Sequence, residues 1–162
     1  MAYDVFFDIE GIPGESLDSK FKDKIEVFSF SFCERQAGTF AYGSGGGAGK
    51  VDFSSLKFTK ATDAATHLLF LHCAEGRHIP KATLFVRKAG GGQQDFFKIA
   101  LTDLIVSSFT LTGSPASDYT KPLEDVELQF STMKVSYSKQ KRDGSQEAFK
   151  DAGWSIKENK KL

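Results

Sequence analysis

Apolar and polar residues alternate with a period of two along most of the chain, the pattern of strands with one buried and one solvated face. Near the N-terminus Tyr3, Val5, Phe7 and Ile9 take the odd positions, with Asp4 and Asp8 between them, which predicts a half-buried strand. Gly11, Ile12, Pro13 and Gly14 then form a turn, and the polar residues 15–24 read as a surface loop. A second strand is predicted over residues 24–34. It starts on Ile25 and Val27 and sets Phe28, Phe30 and Phe32 on one face against Ser29, Ser31 and Cys33 on the other. The serine face is small and mildly polar.

Further on, Val51, Phe53, Leu56 and Phe58 alternate with a slip at Ser54 and Ser55, where a β-bulge is expected. One helix is predicted. Thr62 or Asp63 caps it, Ala64, Ala65, Leu68, Leu69, Leu71 and His72 give it an apolar stripe, and Gly76 ends it. The period of two then returns over residues 81–88, 95–101, 104–111 and 126–137. Gly90, Gly91 and Gly92 suit a hairpin turn, Gly113, Ser114 and Pro115 a break, and Asp143 with Gly144 another turn. Trp154 and Ile156 close a short last strand before a polar tail over residues 157–162. About eight strands at hairpin spacing, one helix and no βαβ repeat predict a mainly β fold, a compact antiparallel β-barrel or sandwich with the helix on its side.

Residues 38–50 break the pattern. Five of the seven positions from Gly43 to Gly49 are glycine, flanked by Phe40 and Tyr42. Glycine loses the most backbone entropy on ordering, so this run reads as a long extended loop rather than a strand or helix.

Composition narrows the classes. A length of 162 residues predicts one domain, 1–162. Lys plus Arg and Asp plus Glu are both 21, so the net charge is zero, against the basic excess of a nucleic-acid binder. The longest apolar run is four residues, 68–71, far short of a membrane span. The N-terminus has no basic segment and places acids inside its apolar stretch, unlike a cleaved signal peptide. Residence in the cytoplasm is expected, with any exit by a route needing no such signal. Cys33 and Cys73 read as two buried thiols rather than a disulfide framework. Sixteen phenylalanines, against one tryptophan, hint that another subunit covers part of the apolar surface.

Gly49 and Lys50 suit a phosphate loop, but Ser44 and Val51 stand where that loop needs glycine and a hydroxyl, and a strand pattern follows instead of a helix. Gly43, Gly45 and Ala48 satisfy a dinucleotide spacing without a helix N-terminus to receive phosphate. His67 and His72 lie about 140° apart on a helix, which makes no metal pair with Cys73 or His78. No Gly-x-Ser-x-Gly elbow occurs. The pairs Asp8/Glu10 and Glu124/Asp125 read as solvated strand ends or loops, and the basic run 139–142 as a solvated loop. No enzyme, cofactor or metal is expected, and the open alternative on these grounds is a monomeric or dimeric small-ligand or carbohydrate-binding β-domain.

The ordered string of short motifs adds a resemblance. It comprises the Met-Ala-Tyr-Asp opening, Pro13-Gly-Glu-Ser16, Gly45-Gly-Gly-Ala-Gly-Lys-Val51, Phe58-Thr-Lys60 with Asp63, Cys73-Ala-Glu-Gly-Arg-His78, Val86-Arg-Lys-Ala-Gly90, Val106-Ser-Ser108 and Gly153-Trp154. In order and spacing these resemble the Hcp (haemolysin co-regulated protein) family of bacterial type VI secretion systems, from Met1 to about Lys157. The resemblance implies a β-barrel of two sheets with a flanking helix. It implies hexameric rings stacked head to tail into a tube inside a contractile sheath, tipped by a spike protein, with small effectors in the lumen. It implies no catalytic residues and secretion without a cleaved signal, into the medium or a target cell. Gly43, Ser44, Gly45, Gly46, Gly47, Ala48, Gly49 and Lys50 match the extended loop that contacts neighbouring subunits and the next ring. Ser29 and Ser31 become candidates for the lumen wall, a small uncharged lining, with Phe28, Phe30 and Phe32 toward the core; an ordinary solvent face is the alternative. An Hcp scaffold carrying a toxin domain is not expected, because little sequence follows the matching part.

Overall fold

The computed structural model describes residues 3–38, 49–89, 93–116 and 118–162. Among these residues eleven strands and one helix follow in chain order: β1 (Tyr3–Ile9), β2 (Ile25–Glu26), β3 (Ser29–Ser31), β4 (Glu34–Arg35), β5 (Asp52–Phe53), β6 (Leu56–Ala61), α1 (Thr66–Glu75), β7 (Ile79–Lys88), β8 (Asp95–Thr112), β9 (Leu123–Tyr137), β10 (Lys150–Ser155) and β11 (Lys160–Lys161). All pairings are antiparallel, in one nine-stranded sheet and a separate two-stranded one, β4–β5. The large sheet runs β11-β10-β9-β8-β7-β1-β2, with β6 on β9 and β3 on β6.

Mainly β architecture with one helix is as the period-two pattern predicts, but the barrel is not closed by a continuous ladder. β2 pairs with β1 and β3 with β6, and the chain steps between those two edges at Val27 and Phe28. The Val27 N–H bonds the Val5 carbonyl at 3.0 Å, whereas the Phe28 N–H bonds the Thr59 carbonyl at 2.8 Å. Two short edge strands thus replace the single strand expected over 24–34. The bend shifts the phase, so Val27 is buried while Phe28 is 53% exposed and stacked on Tyr119. Phe30 and Phe32 pack half-buried against the core, and Phe28 does not.

The core lies between the folded-over parts of the large sheet, around Phe7, Ile25, Leu56, Phe58, Leu84, Ile99, Leu101 and Leu128. Burying side chains of this size contributes roughly 1.5–3 kcal/mol each. The slip at Ser54 and Ser55 is a break between β5 and β6 rather than a bulge within one strand. Expected strands 95–101 and 104–111 merge into one long β8, and residues 160–161 of the predicted polar tail pair with β10. β7 and β8 form the expected hairpin, although the glycines at 90–92 lie outside the described residues.

The helix begins at Thr66, later than a cap at Thr62 or Asp63 requires. Asp63 serves the preceding turn instead: its Oδ1 accepts the Ala65 N–H at 2.8 Å, and its own N–H bonds the Thr66 hydroxyl at 2.9 Å. Gly76 ends the helix at φ +61°, with its N–H 3.4 Å from the Cys73 carbonyl, the left-handed closure that glycine adopts without strain. Leu69 and His72 are the buried helix residues, while Leu71, counted into the stripe, is 41% exposed.

Two polar networks pin the loops. Lys60 and Glu124 are fully buried, with Lys60 Nζ 2.5 Å from Glu124 Oε2 and 2.8 Å from Asp63 Oδ1. The Thr66 hydroxyl donates to Glu124 Oε1 at 2.5 Å, so β6, β9 and the helix start share one ion pair. Glu124 is therefore a core residue, not the solvated strand-end acid expected from sequence. Arg87 on β7 is likewise buried. It grips Asp18 bidentately at 3.0 and 2.7 Å, reaches Asp4 at 3.2 Å, and lies over the rings of Phe6 and Phe21. Its guanidinium is the main cause holding the Asp18 carboxyl down at about 2. The loop over residues 15–24 is thereby clamped to the sheet.

Candidate functional site

Four strands, in the order β3-β6-β9-β8, form a section of the large sheet whose two faces differ sharply. The register aligns Phe30, Phe58, Val126 and Phe109 in one row, on the core side. The two flanking rows face outward: Ser29, Thr59, Asp125 and Thr110 in one, Ser31, Lys57, Glu127 and Ser108 in the other. Period two makes this inevitable once the four strands are in register, because neighbouring side chains point to opposite faces.

The outward rows line a shallow groove of about 420 Å³. Lys57 Nζ pairs with Glu127 Oε1 at 2.9 Å, and the Thr59 hydroxyl donates to Asp125 Oδ1 at 2.6 Å. Ser29 and Ser31 are exposed there, as the alternation predicts. The lining is not uncharged, however: Lys57, Asp125 and Glu127 stand among the hydroxyls. Sequence reading missed these three together with Thr59, Ser108 and Thr110. Their own alternation was visible, but Thr59 and Asp125 are 66 positions apart, and only pairing puts them side by side. Glu124 and Asp125, read as one acidic pair, point to opposite faces.

Both edges of this section are open among the described residues. β3 pairs only with β6. On the other side β7 stops at the Ile79–Leu104 pair, so residues 105–112 of β8 pair with β9 alone. This stretch reads Ile-Val-Ser-Ser-Phe-Thr-Leu-Thr, with no charge and no proline. Proteins that remain single blunt such edges with lysine, proline or short strands.

The remaining predicted site residues are spread elsewhere. The glycine-rich loop springs from the β4–β5 ribbon, where the Gln36 side-chain amide donates to the Gly49 carbonyl. Gly49 and Lys50 are described, whereas Gly43, Ser44, Gly45, Gly46, Gly47 and Ala48 lie outside the described residues. Cys33 is exposed, not buried as expected, and both cysteines are free thiols. His72 is buried with its pKa lowered, first by desolvation and then by the charge of Arg77. His78 lies 3.0 Å from Asp103 at the surface. Among the described residues no three metal-ligating side chains converge, and no helix is long and apolar enough to cross a membrane.

Residues 6–137 match the family model described as the type VI secretion system effector Hcp. The chain belongs to the Hcp family. It is 39% identical over 161 residues to protein hcp1 of Pseudomonas aeruginosa, with 98% of each chain covered. Among solved structures it resembles Hcp1 from Salmonella typhimurium, at 40% identity and a TM-score of 0.82 over the whole of both chains. A second, described as a type six secretion system protein, superposes with a TM-score of 0.93 at 28% identity, covering 99% of this chain and 100% of the other. The chain is thus a secreted Hcp protein of the type VI secretion system, with the β-rich Hcp fold.

Proposed function

We propose that this Hcp chain is the structural subunit of the type VI secretion inner tube. Six copies close a ring, rings stack head to tail, and sheath contraction drives the tube and its spike out of the cell with small effectors in the lumen. The whole chain, 1–162, acts as one domain without catalytic activity, resident in the cytoplasm before firing and then secreted or delivered to a target cell. The observation that carries this reading is the pair of open edges, β3 and residues 105–112 of β8, on one four-stranded section. An edge of one copy meeting the other edge of the next is a heterologous contact, which closes into a ring when the rotation permits. The polar face between those edges then becomes the inner wall, and Ser29 and Ser31 line the lumen. The glycine-rich loop, residues 43–50, makes the contacts between rings.

Light scattering on a sizing column tests the ring. The expected species is about 107 kDa, six times the 17.8 kDa chain. Ser107 sits in the bulge between Val106 and Ser108, where pairing with β9 is already interrupted. Ser107→Pro should therefore blunt the edge while the chain still folds. A wild-type mass of 17.8 kDa at high concentration, with a stability shift on adding a sugar or small ligand, would replace this reading with a ligand-binding domain. Bulky replacements of Gly46 and Gly47 should weaken stacking and spare the ring; unchanged polymerisation removes the loop assignment.

A further inference from the structure

The outward face of the β3-β6-β9-β8 section has an unequal charge inventory. Lys57 is committed to Glu127 at 2.9 Å. Asp125 is exposed, receives only a hydroxyl bond from Thr59, and is within salt-bridge distance of no lysine, arginine or histidine among the described residues. Thr110, its neighbour in the same row, adds an exposed hydroxyl oxygen beside it. The row Phe30, Phe58, Val126 and Phe109 points to the other face, so Lys57, Asp125, Glu127 and the flanking hydroxyls are the polar groups a partner meets here, with Ile105 38% exposed beside them.

We infer that this face selects partner proteins with cationic surfaces, Asp125 receiving a lysine or arginine side chain from the partner. A guanidinium or ammonium placed there gains the carboxylate and the adjacent hydroxyl oxygens as acceptors, whereas an acidic surface meets a like charge. The inference rests on the ring reading for one point: closure repeats the carboxylate once per copy around the bore. Repetition turns a weak single contact into a multivalent one, because each later contact forms at high effective concentration. Salt at physiological strength screens such contacts over about 8 Å, so the selectivity fades as salt rises.

The test uses the full chain and two labelled peptides of equal length, an alternating Gly-Lys and an alternating Gly-Glu dodecamer. Fluorescence anisotropy is read at low and high salt, and the mass of each sample is taken by light scattering. The Gly-Lys peptide should bind at least tenfold tighter than the Gly-Glu peptide at low salt. Asp125→Asn, which keeps an acceptor for Thr59, should cut that preference at least threefold, and Asp125→Lys should reverse it. Equal binding of the two peptides, or a preference that survives both substitutions, overturns the inference whatever the mass. A charge preference that depends on Asp125 in a sample of single-chain mass supports the inference and removes the ring reading instead, because the face is already open in one copy.

Discussion

Lys60 offers a sharp test of the packing logic. Its ammonium is fully buried between Glu124 and Asp63, and the Glu124 carboxylate is equally buried, with Thr66 as its one further partner among the described residues. Lys60→Met removes the one cation and leaves a carboxylate in the core held by a single hydroxyl. Breaking one side of a buried pair costs about 3–5 kcal/mol, most of it the desolvation of the charge left behind. At 2–4 °C per kcal/mol for a chain of this size, the midpoint of thermal unfolding should fall by about 10 °C. Lys60→Met with Glu124→Leu removes both charges and fills the site with apolar atoms, so the double variant should recover to within about 2 kcal/mol of wild type. Urea unfolding of all four proteins at one chain concentration, followed by circular dichroism, gives the coupling energy. A single variant within about 1 kcal/mol of wild type, or a double variant whose loss is the sum of the singles, would refute this account of how the helix start is held.

Other expectations follow from the same structure. The Asp18 carboxyl titrates at about 2 in the folded chain against 3.8 ordinarily, so its contribution is full above pH 3.8 and is lost as pH falls toward 2. Asp18→Asn should cost about 1–2 kcal/mol at neutral pH and flatten that part of the acid unfolding profile; an unchanged profile would count against the Arg87 clamp. Burial lowers the His72 pKa below 6.5, so stability is complete above that value and falls as pH drops through the folded pKa. His72→Gln should remove this slope in equilibrium unfolding between pH 7 and 5, and a slope that persists assigns it elsewhere. At Gly14 an added Cβ would stand 2.4 Å from the Lys24 carbonyl oxygen and 2.7 Å from Ile25 Cα, both backbone atoms. Gly14→Ala should therefore displace the clamped loop and destabilise by about 2 kcal/mol or more, read as a lower urea midpoint.

Much of this protein was legible in the order of its residues. Alternation alone marks Tyr3–Ile9 as a strand, though Phe6 on its polar side is buried as well, and gives Ser29 and Ser31 a solvent side; Gly76 marks the end of the helix. These features are local: side-chain direction repeats every second residue in a strand, and a left-handed closing residue favours glycine. The failures share a different cause. Phe28 leaves the core because the chain bends to join β1 on one side and β6 on the other, a choice between distant partners. Glu124 reads as a solvated acid because it is polar taken singly; it enters the core because pairing of β6 with β9 brings it to Lys60. The charge on the candidate face has the same origin, since Asp125 joins the row of Ser29 only through two intervening strand pairings. Period two determines which way each side chain points along its own strand. Which side chains it then meets is decided by register, and register is a property of the folded sheet.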